Sequence, residues 1–255
     1  MFCIKKIIKN KYYKMLFFIK QNQIRKNSLS KKYANVEVFY DPKRNIGDTL
    51  NPLLFEYLKN YFSLSGVTRK KYIVLLMIGS IIGYVDLDCS IWGSGILEPD
   101  HINHINSTKY IKRKFYAVRG PLTRKALIDI GYNVPEVYGD PAILLPKIYY
   151  PRGVTKKYKV SVIPHFVDKT KKCENLHYIN VLTDDYKSFI DEVLSSEIVI
   201  SSSLHGIIIA EAYGVPAIWL KNNKLNEFKE KAESYLLNPI YVVYCSPESN
   251  ISEAL

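Results

Sequence analysis

Short apolar runs alternate with amphipathic stretches along this chain from residue 36 onward. Val36 to Tyr40 is a β-rich run, and the turn at Asp41-Pro42 leads into Asn45-Ile46-Gly47-Asp48. There Asp48 is suited to cap a helix carrying Leu53, Leu54, Tyr57, Leu58 and Phe62. Tyr72 to Ile78 is apolar without interruption, the pattern of a strand buried on both faces of a parallel sheet, and it ends in Gly79-Ser80. Cys89 to Trp92 repeats the pattern and ends in Gly93-Ser94-Gly95. Phe115 to Arg119 predicts a further strand. Gly120-Pro121 then opens a helix from Leu122 to Ile130, which Gly131 stops. Glu136 to Tyr138 runs into Gly139-Asp140-Pro141.

Pro146 to Thr155 has no sustained period and reads as a linker. Beyond it the alternation resumes, with strands at Tyr158 to Ile163 and Tyr178 to Val181, a helix from Asp184 to Ser196, and a strand from Glu197 to Ile200. Ser201-Ser202-Ser203 follows, then an apolar helix from Leu204 to Tyr213, a Gly214 stop, a strand from Val215 to Leu220 and a charged helix near Asn226 to Leu237. Two series of βα units with a linker between them predict an α/β fold of two Rossmann-like halves, 33–150 and 151–255, facing a cleft. Strand ends rich in glycine and polar residues would line that cleft.

Composition changes this picture mainly at the N-terminus. Met1 to Lys32 holds ten of the 36 Lys and Arg residues and no acid, so most of the formal net charge of +12 lies there. Its basic side chains are interleaved with Ile7, Ile8 and the run Met15 to Ile19, as in a helix lying on an anionic membrane surface. A leader that only aids solubility fits the same composition. That apolar run is too short for a signal-peptide core or a membrane span. Cys3, Cys89, Cys173 and Cys245 lie far apart with no metal-knuckle spacing, which predicts a reduced, cytoplasmic setting and no metal.

Several residues stand where the predicted strands meet helices. Ser201, Ser202 and Ser203, with the free N–H groups of a helix start, form a natural anion pocket, although any one serine could be a plain N-cap. His205 falls in that helix's first turn, with a packed structural imidazole as the alternative. Arg119 at a strand end can grip a carboxylate or phosphate in bidentate fashion, or simply form a surface ion pair. Asp48 and Asp140 are turn carboxylates that could cap helices or handle hydroxyls. His165, after Pro164, would share the cleft edge with Ser201 in a parallel sheet, with a satisfied loop histidine as the alternative. The two glycine-serine turns lack a dinucleotide fingerprint, and no GxxxxGK run occurs. No nucleic-acid-binding motif accompanies the basic residues either.

In order, NIGDTLNP (45 to 52), IWGSGI (91 to 96), FYAVRGPLTRKAL (115 to 127), VYGDPAILLP (137 to 146), VIPHFVD (162 to 168) and VISSSLHGIIIAEAYGVPAIWL (199 to 220) resemble the polysaccharide pyruvyltransferases, particularly the bacterial exopolysaccharide ketal-forming branch. The resemblance runs from about Val36 to Leu220. It implies a GT-B-like fold, phosphoenolpyruvate as donor substrate with no cofactor, and a glycan or lipid-linked saccharide as acceptor. By the same resemblance Arg119 takes the donor-binding arginine's place and His205 that of the Leu-His-Gly histidine. Asp48 and Asp140 are then expected beside His205 in catalysis. Asn45, Gly47, Arg119, His165, Ser201, Ser202, Ser203, Leu204 and Gly206 are expected to contact substrate. Phe228-Lys229 is followed here by Glu230-Lys231-Ala232-Glu233-Ser234-Tyr235, where relatives often carry an acidic-aromatic run. A nucleotide-sugar glycosyltransferase and a non-catalytic glycan-assembly protein are the competing expectations. Location is expected in the cytoplasm, peripheral on the inner face of the membrane.

Overall fold

The computed structural model of the chain describes residues 32–33, 36–41, 45–62, 73–97, 99–168, 174 and 176–219. The basic leader up to residue 31, the helix expected near Asn226 to Leu237 and the Phe228-Lys229 segment lie outside the described residues.

The first sheet comprises β1 (Lys32–Tyr33), β2 (Val36–Phe39), β3 (Ile73–Leu76), β4 (Cys89–Trp92) and β5 (Arg113–Ala117), in that spatial order. β1 pairs antiparallel with β2, and the other pairs are parallel. Among the described residues three α-helices connect these strands or follow them: α1 (Ile46–Tyr61), α2 (Pro99–Ser107) and α3 (Pro121–Asp129). Parallel pairing requires such crossovers, because a tight hairpin cannot return the chain in the same direction. β3 explains its uninterrupted apolar sequence. Leu75, and Met77 just beyond it, pack with Leu50, Leu54 and Leu58 of α1, while Val74 and Leu76 join Ile105, Phe115 and Leu127 on the other face. Each such fully buried aliphatic side chain contributes about 1.5–3 kcal/mol.

After a 3-10 turn at Pro141–Leu144 and α4 (Leu145–Ile148), the second sheet forms from β6 (Tyr158–Ile163), β7 (His177–Tyr178), β8 (Ser196–Ser201) and β9 (Ala217–Trp219). Its order is β7-β6-β8-β9, all parallel, with α5 (Tyr186–Leu194) and α6 (Leu204–Ala212) as crossovers. From β6 the chain passes to one side for β7 and returns to the other side for β8. That reversal is a topological switch point, and open parallel sheets bind ligands beyond the strand ends at such points. Here those ends are Ile163-Pro164-His165 and Ser201-Ser202-Ser203. A buried cluster joins both sheets, running from Leu50, Leu54 and Trp92 to Ile163, Val181, Phe189 and Ile209.

Several elements depart from expectation. The strand expected at Phe115 to Arg119 lies at Arg113–Ala117, so Arg119 stands beyond it. Glu136 to Tyr138 contributes a single parallel bridge, Val118 to Tyr138, because Pro135 and Pro141 supply no ladder donor and Gly139 turns at φ 152°. The expected linker begins as helix, since Pro146 sits in the first turn of α4, where a missing N–H costs nothing. Asp48 does not cap α1. Asn45 does, its Oδ1 accepting from Gly47 N–H at 3.1 Å, with Asp48 in the first turn. α2 was not expected, because its inward face carries only His101 and Ile105.

Pro52 lies inside α1 and cannot donate to the Asp48 carbonyl four residues back. The Asn51 side chain takes over that role, its Nδ2 donating to Asp48 O at 3.1 Å and to Ile78 O at 3.1 Å while its Oδ1 accepts from Ile78 N–H at 2.9 Å. This fully buried amide fixes the start of α1 against the end of β3. Replacing it leaves buried backbone groups unsatisfied, at about 1–3 kcal/mol each. Asn51→Leu is therefore expected to lower the melting temperature by several degrees in a thermal melt, and an unchanged value would contradict this role.

Candidate active site at the start of α6

The turn from β8 into α6 is built by its own serines. Ser201 Oγ lies 2.8 Å from Ile163 O and 2.9 Å from Ser203 O, and it accepts from Ser203 N–H at 3.0 Å. Ser202 Oγ accepts from His165 N–H at 2.9 Å and donates to Asp168 Oδ2. Both hydroxyls are thus engaged in shaping the turn. Ser203 occupies the N-cap without a side-chain capping bond, and half-buried Leu204 is the first helical residue. The first-turn N–H groups of Leu204, His205 and Gly206 have no acceptor within the helix. A Cβ on Gly206 would lie 2.4 Å from Ser201 Oγ and 2.9 Å from Ile163 Cγ2, so only glycine lets α6 begin this close to the strands.

His205 points across to the other sheet. Its ring lies against Gly47 in the first turn of α1, where a Cβ would stand 2.0 Å from Nδ1. Its Nε2 is 3.6 Å from Asp140 Oδ2, with side-chain exposures of 12% and 3%. That separation exceeds hydrogen-bond range, and among the described residues neither buried atom has a hydrogen-bond partner. The other Asp140 oxygen accepts from Ala142 N–H at 3.0 Å, capping the 3-10 turn. Buried polar atoms are rarely left unbonded, because each loses its hydration without compensation. At this distance the imidazole and the carboxylate lie within ion-pair range, so a charge on one acts directly on the other although no hydrogen bond joins them.

Glycines shape the adjoining edge of the first sheet. Gly79, at φ 113°, leaves room for Asp48, whose Oδ1 would lie 3.2 Å from a Cβ there. The Gly79 carbonyl accepts from Ser94 Oγ at 2.8 Å and Gly95 N–H at 3.0 Å, and Ser94 O accepts from Arg119 N–H at 3.1 Å. The Arg119 guanidinium lies over Gly95, where a Cβ would be 2.6 Å from one terminal nitrogen, and that same nitrogen donates to Ser80 Oγ at 2.7 Å. Gly93 turns at φ 96° under Pro141, which carries the chain away from Asp140. His205, Asp140 and Gly47 are therefore in direct apposition. Asp48 and Arg119 lie along the same strand ends, and Asn45 caps the helix that carries Gly47 and Asp48.

His165 stands at the end of β6, tied to Ser202. Burial lowers its pKa below the usual histidine value, Asp168 opposes that shift, and His205 adds to it. Ser80, Ser94, Gly95 and Asn51 are site-building residues that the sequence reading did not single out. The two glycine-serine turns were visible in the sequence as strand ends lining the cleft and as turns without a dinucleotide fingerprint, but not as named site residues.

The sequence model of the polysaccharide pyruvyl transferase family matches residues 1–224. The chain belongs to the polysaccharide pyruvyl transferase family. Among curated relatives, the uncharacterized protein L143 of Acanthamoeba polyphaga mimivirus is 32% identical over 159 residues, covering 56% of this chain and 52% of the relative. The succinoglycan biosynthesis protein ExoV of Rhizobium meliloti is 29% identical over 147 residues, covering 54% of this chain and 45% of ExoV. The chain spans about half the length of these relatives. Among the described residues of this pyruvyl transferase family member, no helix is long and apolar enough to cross a membrane.

The fit of His205 against Gly47 makes a sharp test possible. Gly47→Ala places a methyl group inside the ring's position, so His205 must turn away while α1, which alanine favours, stays helical. Histidine NMR should show a displaced His205 environment in a protein whose circular dichroism spectrum is unchanged. An unmoved His205 signal would contradict the packing.

Proposed function

We propose that the protein transfers the pyruvyl group of phosphoenolpyruvate to two hydroxyls of one sugar in a cell-surface glycan, forming a ketal and releasing phosphate. The observation that carries this reading is the unbonded, buried pair His205 and Asp140 at the start of α6. Membership of the polysaccharide pyruvyl transferase family and the succinoglycan role in ExoV's name support it. The architecture is read as GT-B-like, with two Rossmann-like halves and the reacting groups between them.

The chemistry requires a proton for the donor's methylene carbon, capture of the resulting cationic centre by a first hydroxyl, departure of phosphate by C–O cleavage, and capture by a second hydroxyl. The first hydroxyl's proton balances the one given to carbon, and the second leaves with phosphate. An acid and a base are needed within reach of one carbon. His205 is assigned as the acid or as the clamp on the departing phosphate, with Asp140 and Asp48 orienting the hydroxyls and receiving their protons. Arg119, held by Ser80, grips the donor's carboxylate or phosphate as a fork. Ser203 and the first-turn N–H groups of Leu204, His205 and Gly206 offer donors to phosphate, where a helix start favours negative charge. Ser201 and Ser202 hold that turn in shape, and Asn45 and Gly47 hold the facing one. No cofactor is invoked. Residues 1–32 would keep the enzyme on the inner face of the membrane, near a lipid-linked acceptor.

Donor binding separates this reading from a glycosyltransferase. Phosphoenolpyruvate should raise the melting temperature of the purified protein while UDP- and GDP-sugars leave it unchanged, and the reverse pattern would overturn the proposal. With a glycan acceptor, His205→Ala should slow ketal formation by about a hundredfold to ten-thousandfold at an unchanged melting temperature. Arg119→Lys keeps the charge but loses the fork, so donor affinity should drop markedly. Near-normal affinity in the lysine variant would reduce Arg119 to a point charge.

A further inference from the structure

The second imidazole at this edge is built differently from the first. His165 heads a short turn in which Asp168 N–H returns to the His165 carbonyl at 2.8 Å. The turn is tied to the serine loop twice, because Ser202 Oγ accepts from His165 N–H and donates to Asp168 Oδ2. Within it, Val167 N–H donates to His165 Nδ1 at 3.4 Å. A backbone N–H can only be met there by a lone pair, so a neutral ring carries its proton on Nε2. Among the described residues Nε2 has no hydrogen-bond partner. The Phe166 ring packs 4.4 Å from the imidazole, centroid to centroid.

We infer that His165 is a substrate-binding residue that meets an anionic oxygen of the donor as a neutral Nε2–H donor, its tautomer set by the Val167 amide. The two imidazoles then have separate tasks. His205 works opposite a carboxylate, where a proton can be held or passed, whereas His165 supplies a directed hydrogen bond without adding a second positive charge at the turn. The lowered pKa of His165 agrees with this assignment, since burial and the nearby His205 both favour the uncharged ring. For the ligand's identity the inference rests on the proposed phosphoenolpyruvate reading, but the tautomer does not.

The test combines two readouts on the full chain. Long-range proton–nitrogen NMR of ¹⁵N-histidine-labelled protein at neutral pH, with His165→Gln used to assign the signal, should report a neutral Nε2–H ring. An imidazolium or an Nδ1–H tautomer would overturn the inference whatever the enzyme's activity. In donor titrations followed by ketal formation, His165→Ala should raise KM for phosphoenolpyruvate by about tenfold to a hundredfold, the effect of losing a hydrogen bond to a charged group, with the melting temperature unchanged. His165→Gln places an amide N–H near the position of Nε2 and should recover most of that loss, whereas His165→Lys should not. Recovery by lysine and not glutamine, or a near-normal KM in His165→Ala, would also overturn it. If phosphoenolpyruvate neither binds nor reacts, the functional reading fails, and the tautomer measurement with inorganic phosphate as probe still decides this one: an Nε2 signal unmoved by saturating phosphate contradicts it.

Discussion

Between the first turn of α1 and the first turn of α6 there is room for one imidazole ring, and the ring occupies it because residue 47 has no side chain. Much of the site depends on holding that gap. On one side Ile46 N–H donates to Val181 O at 2.8 Å, tying the start of α1 to the loop before α5. On the same side Asn45 caps the helix and Asn51 answers for the donor that Pro52 lacks. On the other side Ser201 closes the turn that launches α6, and Gly206 lets the helix start close against β6 and β8. Backbone satisfaction and close packing therefore place His205 before electrostatics enters.

What electrostatics adds is a deliberate imperfection. A buried histidine and aspartate would be most stable in direct hydrogen bonding, since a buried ionic pair offsets its desolvation only with good geometry and full bonding. Here they are held 3.6 Å apart with both facing atoms unbonded. Elsewhere in the chain histidine–carboxylate pairs do close, His104 with Asp86 at 2.7 Å and His177 with Glu192 at 2.8 Å. The open pair is the one whose members come from opposite sheets, each fixed by its own turn. Sites that bind or react commonly retain such locally unfavourable arrangements while the surrounding packing compensates.

Much of the architecture was legible in the sequence because its signals are local. The apolar runs at β3 and β4, the Gly120-Pro121 helix start and the Ser201-Ser202-Ser203 turn all depend on neighbours in sequence. α2 was not legible, since an inward face of His101 and Ile105 carries almost no periodic signal. Assigning the α1 cap to Asp48 failed because both Asn45 and Asp48 are good caps, and only the register of the helix start decides between them. The supports of the site were hidden for a different reason. Asn51 bonds to Ile78 across 27 positions and Arg119 to Ser80 across 39, so no motif could announce either. Gly47, Gly79 and Gly95 were readable as turn residues, but the groups they accommodate come from elsewhere in the fold.

The central claim is that His205, on the donor, and Asp140, on the hydroxyls, serve one and the same transfer step as a facing pair, and a double-mutant cycle addresses it most directly. His205→Asn, Asp140→Asn and the double variant would be compared by kcat/KM for phosphoenolpyruvate with a glycan acceptor, on samples matched for melting temperature. Residues that act as a unit are strongly non-additive. The account predicts that the double variant is about as slow as the slower single variant. Losses that multiply would show two independent contributions and contradict it.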